Sequence, residues 1–187
     1  MNSSVKVLLL QTAILAVVST LFYFLVGPRL AVIFVLIWVD KALIPLLRFA
    51  GYFGFEMATL PAILIGMSYG PMFGFLFSTV AVAIIGGILN IISWRIVSPL
   101  DIGWPPLLPS PDHFIDGIVS VIAGILPRTF PFILVVLICV LVKNAMAAVK
   151  QQGMEGYVNY LDRGMNVGVN LIVAWLYQGA FLYILSL

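Results

Sequence analysis

A polytopic bundle of six or seven transmembrane helices, all-α, is the fold class this sequence predicts, and three observations predict it. Of 187 residues, 63% are hydrophobic and only 9% are charged. The apolar residues fall in runs long enough to cross a hydrocarbon core, which takes roughly 20 residues of helix. Those runs lack the two-residue alternation of a membrane β-strand, and in lipid only helices and closed barrels satisfy every backbone N–H and C=O. The length leaves room for about seven crossings with short connections. No room remains for a soluble domain, so residues 1–187 read as a single integral membrane domain.

The elements follow in order. Residues 7–26 form the first span, read as retained because no small-residue cleavage site ends the apolar run that follows Lys6. A Gly27-Pro28-Arg29 turn leads to a second span, 30–50. The apolar stretch 57–93 is too long for one crossing, and Gly70-Pro71 divides it into 57–69 and 71–93, proline being tolerated in the first turn of a new helix. Residues 94–112 hold five prolines, which cannot continue a helix. This connection belongs at the membrane surface, where Trp94 and Trp104 suit the headgroup level. Leu126-Pro127-Arg128-Thr129-Phe130-Pro131 splits the next apolar region into 113–126 and 131–148, or kinks one long helix if the total is six. Asp112 is the expected N-cap of the former, with Asp116 in its first turn. A polar stretch, 150–163, precedes the last span, 164–187.

Charge sets orientation and excludes several functions. Nine Lys and Arg against seven Asp and Glu give +2, with no run of like charge, so nucleic-acid binding has no support. Seven crossings from a cytoplasmic N-terminus place Lys6, Lys41, Arg48, Arg95, Lys143, Lys150 and Arg163 at the inner side. Only Arg29 and Arg128 fall outside, as the positive-inside rule favours. Cys139 is the single cysteine and forms no intrachain disulfide. One histidine, His113, beside Asp112 and near Asp116, falls short of a metal-ligand set or a haem pair. No nucleophile elbow, paired-His zinc motif or phosphate loop occurs. The expectation is therefore no enzyme, no cofactor and no metal.

Three groups of residues stand out. Asp40, Lys41 and Arg48 are ionisable groups in or at the end of the second span. Such groups serve as interfacial anchors, as an ion relay or as an ion-paired contact with a partner subunit. Gly66, Gly70 and Gly74, spaced by four, let helices approach closely, as does the Gly164–Gly168 pair. Asn166, Asn170, Ala174 and Gln178 make a stripe on the last span whose amides must face protein, a cavity or a ligand.

Residues 56–74, Glu-Met-Ala-Thr-Leu-Pro-Ala-Ile-Leu-Ile-Gly-Met-Ser-Tyr-Gly-Pro-Met-Phe-Gly, resemble the second-to-third helix hairpin of the substrate-capture subunits of energy-coupling-factor transporters. There a Leu-Pro-x-x-x-x-Gly helix leads into a Gly-Pro-x-x-Gly turn. The resemblance covers roughly 56–93 and implies a six-helix bundle that binds a vitamin or metal at the outer face and docks on a shared membrane subunit. This chain departs from the pattern in two ways. It has two spans before the hairpin, and its charges put Gly70-Pro71 outside where the family has that turn inside.

The functional expectation is a small transport component of the cell membrane that captures a small molecule and works with other integral membrane subunits. Trp94, Asp101 and Trp104 of the connection and Asn166, Asn170 and Gln178 of the last span would bind the solute. The alternative is a non-catalytic structural subunit of a larger respiratory or ion-translocating membrane complex.

Overall fold

Every regular element among the described residues is helical. The computed structural model describes residues 3–43, 56–93 and 107–187. Helix α1 is Ser3–Leu25, and α2 is Pro28–Trp38, continued by a π-helical turn, Val39–Leu43. The central hairpin comprises α3, Thr59–Tyr69, and a longer arm made of α4, Pro71–Leu76, a second π-helical turn, Phe77–Ala81, and α5, Val82–Ser93. Next come α6, Pro111–Ile125, and α7, Phe132–Glu155. The last two are α8, Tyr160–Leu176, and α9, Gln178–Ser186.

Helix α3 is the centre of the packing. Thr59 to Gly66 are all buried, and the helix touches α2, α4, α6, α7, α8 and α9. Ile33 of α2, Ile63 and Leu64 of α3, Val119 of α6 and Val136 and Val140 of α7 form the core and are fully buried. Close approach of α3 to α6 needs Gly66, because a Cβ there would collide with the Ser120 carbonyl group. Gly70 makes the hairpin turn with φ 88° and ψ 168°, a conformation that side chains rarely adopt. Ser120 ties the hairpin to α6 by donating to the Ala62 carbonyl at 2.5 Å, while 2.8 Å separates its hydroxyl from that of Ser78.

The helices alternate in direction, so their turns gather at two ends. At one end Arg29 donates to the Leu185 carbonyl at 3.1 Å and lies 5.9 Å over the Tyr69 ring. Gly124 abuts Pro71 there. At the other end Asp40 meets Met57, and Lys150 pairs with Asp112 at 2.6 Å.

The structure adjusts several sequence expectations. Among the described residues two helices, Pro71–Ile88 and Phe132–Glu155, are long and apolar enough to cross a membrane, and Tyr160–Leu176 with Gln178–Ser186 makes a third if taken as one span. Helices α3 and α6 have 11 and 15 residues, which at 1.5 Å per residue give about 16 and 22 Å, short of a full hydrocarbon core. Helix α7 runs through the stretch expected to be a connection and ends before Gly156, because Lys150 and Gln151 are satisfied by Asp112, Glu155 and Asn159. Asn159 then caps α8 by accepting from the Asp162 amide at 3.2 Å. The last span is not one helix: it bends by 70° at Tyr177, whose φ of −107° and ψ of 17° leave the helical region. The N-cap of α6 is Ser110, not Asp112. The His113 ring closes a capping box by accepting the Ser110 amide at 3.1 Å, and Pro111 takes the first helical position. Asp112 is thereby free to pair with Lys150.

Candidate functional site

Lys143 is the hub of a buried ionic cluster. It lies on α7 and is only 4% exposed. Its ammonium donates to Glu56 Oε1 at 2.9 Å and stands 2.7 Å from Asp116 Oδ1. The second contact is an ion pair without the angular alignment of a hydrogen bond, since Asp116 Oδ1 keeps no hydrogen-bond partner. Asp116 is as buried as the lysine, whereas the Glu56 side chain is 34% exposed and marks the rim. Lys143 lies seven residues, or about 10 Å of helix, from the Lys150–Asp112 pair toward the middle of α7.

A second ion pair adjoins the first across a small cavity. Asp40 Oδ2 meets Lys41 at 3.0 Å, and Asp40 Oδ1 accepts the Met57 amide at 2.6 Å. The carboxylate therefore ties the end of α2 to the start of α3. A cavity of about 10 Å³, room for a single water, is lined by Asp40, Lys41, Ser78 and Asp116 among apolar side chains. Both π-helical turns border it, the first through Asp40 and Lys41 and the second through Phe77 and Ser78. Such turns inside α-helices are frequent at functional sites.

The amides complete the site. Asn170 Nδ2 donates to the Glu56 carbonyl at 3.0 Å and to the Asn166 carbonyl at 2.9 Å. Asn144 Nδ2 donates to the Val140 carbonyl at 2.9 Å and to Asn166 Oδ1 at 3.0 Å. Residues from α6, α7, α8, the start of α3 and the end of α2 thus converge at one end of the bundle. Each ionised group costs about 3 kcal/mol at the centre of a membrane helix on insertion scales, so such groups persist where they are used.

The sequence-selected residues divide accordingly. Asn166 and Asn170 lie in the cluster, and Ala174, fully buried, continues their face of α8. Gln178 sits beyond the bend, half-buried at the start of α9. Asp40 and Lys41 are part of the cluster, Asp40 being 6% exposed. Arg48, Trp94, Asp101 and Trp104 lie outside the described residues. Glu56, Lys143 and Asn144 were not singled out as site residues. Their one sequence signal is the adjacent polar pair Lys143-Asn144 within an apolar run. Among the described residues no group of three His, Cys, Asp or Glu side chains could hold a metal ion.

No protein family, curated protein or solved structure matches this chain. The reading of the site therefore rests on its own chemistry.

Proposed function

We propose that this chain is a multi-pass integral membrane protein of seven hydrophobic segments, a non-enzymatic transport component that captures a small polar solute at the Glu56–Lys143–Asn170 end of its bundle and works with partner subunits. The observation that carries the reading is the convergence of three carboxylates, two ammonium groups and three amides, nearly all buried, on a rim-exposed Glu56. Packing alone needs none of these groups, because hydrophobic side chains of similar volume fill such a site as stably as a buried ion pair. Trp94, Asp101 and Trp104, which lie outside the described residues, are assigned to the same capture site on the sequence alone. The hairpin's likeness to energy-coupling-factor capture subunits supports the same function.

Partner subunits have a place to dock. A Cβ added at Gly164 or Gly168 of α8 would meet nothing within 4 Å, and Trp175 and Leu176 further along are exposed. A structural subunit of a larger complex would offer the same surface.

Purification of the full chain from its native membrane in mild detergent tests the reading. Stoichiometric recovery with an ATP-binding-cassette pair, and loss of a solute flux on deletion, are the expected results. Recovery within a redox or ion-pumping complex, with no flux lost, would replace it with the structural-subunit reading.

A further inference from the structure

Two carboxylates share one ammonium in the cluster, and the deeper of them borders a cavity. Lys143 stands 2.9 Å from Glu56 and 2.7 Å from Asp116, while Asp40 pairs with Lys41 at 3.0 Å. Glu56, at the rim, takes the aligned hydrogen bond. Asp116 is 4% exposed, and its Oδ1 lies out of line with the ammonium and has no hydrogen-bond partner. It also lines the cavity of about 10 Å³, together with Asp40, Lys41 and Ser78. Carboxylates held this close to one another disfavour ionisation of both, and burial sharpens the effect.

The hydroxyls show what the cavity lacks. Ser120 donates its proton to the Ala62 carbonyl, so in the 2.8 Å contact between the two serines Ser78 is the donor and Ser120 the acceptor. The Ser78 hydroxyl therefore has no proton left for the cavity it lines. The carboxylates of Asp40 and Asp116 are acceptors as well, and among the described residues around the cavity only Lys41 brings a donor side chain. The ionisable groups that face Asp116 are few. Helix α7 brings Lys143 and, one turn away, Cys139, whose thiol is directed at the Val119 carbonyl. The residue before the first turn of α3 brings Glu56, with Arg163 of α8 near it, and the first π-helical turn brings Asp40 and Lys41. The hairpin arm 71–93 has no ionisable side chain, and His113, one turn back on α6, is engaged at Ser110.

We propose that Asp116 is a reversible proton-binding site of the bundle, its O–H directed into the cavity it shares with Asp40 and Ser78. The proton comes from water and returns to water; one O–H bond forms on the carboxylate and no other bond changes. With Asp116 ionised, Lys143 bridges two carboxylates. With Asp116 neutral, its O–H supplies the donor that the Ser78 and Asp40 oxygens call for, directly or through the single water the cavity has room for. Lys143 then belongs to Glu56 alone, so proton uptake changes the charge at the partly exposed rim. The site stands on its own geometry and goes beyond the capture reading, to which it adds a coupled proton.

The test is infrared difference spectroscopy of the purified full chain in lipid vesicles, taken between about pH 5 and about pH 9. A protonated buried carboxyl group shows a C=O stretch of its own, which shifts in D2O. The expected result is one such band that shrinks as pH rises. Asp116→Asn, which keeps the shape of the neutral acid, should lose the band, and Asp40→Asn should keep it. Glu56→Gln leaves Lys143 to Asp116 alone and should shrink the band at every pH, with a substitution at the rim that spares the interior. Asp116→Glu keeps a carboxyl group but moves it, and should change the frequency of the band. No pH-dependent carboxyl band in the unsubstituted chain, a band that survives Asp116→Asn, a band lost in Asp40→Asn, or a band that neither Glu56→Gln nor Asp116→Glu alters would each overturn the proposal. Any of these failures leaves solute capture standing, because that reading is judged by partners and flux.

Discussion

Replacing Lys143 by methionine should destabilise the fold more than almost any other single change. Methionine keeps the volume and the apolar stem but removes the ammonium that lies 2.9 Å from Glu56 and 2.7 Å from Asp116. Glu56 is a third exposed and can turn to water, whereas Asp116 is 4% exposed and would be left charged and unpaired. Breaking a buried pair from one side costs about 3–5 kcal/mol. For a chain of this size that lowers Tm by roughly 10 °C, at about 2–4 °C per kcal/mol. Adding Asp116→Leu to Lys143→Met removes the stranded carboxylate and should recover most of the loss, to within about 2 kcal/mol of the unsubstituted chain, as apolar replacement of buried pairs often does. Thermal unfolding in detergent, followed by tryptophan fluorescence, measures all three proteins. A single variant that loses less than about 1 kcal/mol, or a double variant less stable than the single, would refute the assignment of Lys143 as the counter-charge of Asp116.

Other predictions follow from the packing and the topology. Gly66→Ala must push α3 from α6 at Ser120 and should cost about 1–3 kcal/mol, while Gly168→Ala, with open space around it, should leave the isolated chain as stable or slightly more so; the same unfolding assay reads both. A cysteine introduced by Gln152→Cys should be protected from a membrane-impermeant maleimide in intact cells and react after permeabilisation if the charge count sets the orientation; labelling of intact cells would instead give the orientation implied by the hairpin's resemblance. Cys139 does not interfere, being fully buried. The same labelling shows which compartment the cluster faces.

Much of the fold was legible because apolar run length and proline position report directly on helices. Gly27-Pro28, Gly70-Pro71 and the segment from Leu126 to Pro131 each separate two helices as expected. The bend at Tyr177 was not legible, because no proline marks it. The extension of α7 to Glu155 was hidden by composition. Polar residues there read as a connection, yet Lys150 and Gln151 find partners on α6 and beyond α7 itself. The cluster was half legible. Asn166 and Asn170 show as polar residues spaced by four, a local signal. The bond between Glu56 and Lys143 spans 87 residues of sequence, and nothing local in a single chain marks it. Lys143 entered the sequence reading only as one of the cations that set orientation, and Asp116 as a first-turn charge. Their burial depends on α6 and α7, antiparallel to each other, both packing against α3.

The most direct test of solute capture is native mass spectrometry of the full chain purified in mild detergent, comparing the unsubstituted protein with Glu56→Gln. A small molecule that stays with the unsubstituted protein, and is lost or much reduced in a Glu56→Gln protein of equal thermal stability, is the predicted result. The same molecule held equally by both proteins, or none held by either when purified with its partners, would contradict the assignment of this cluster as the capture site.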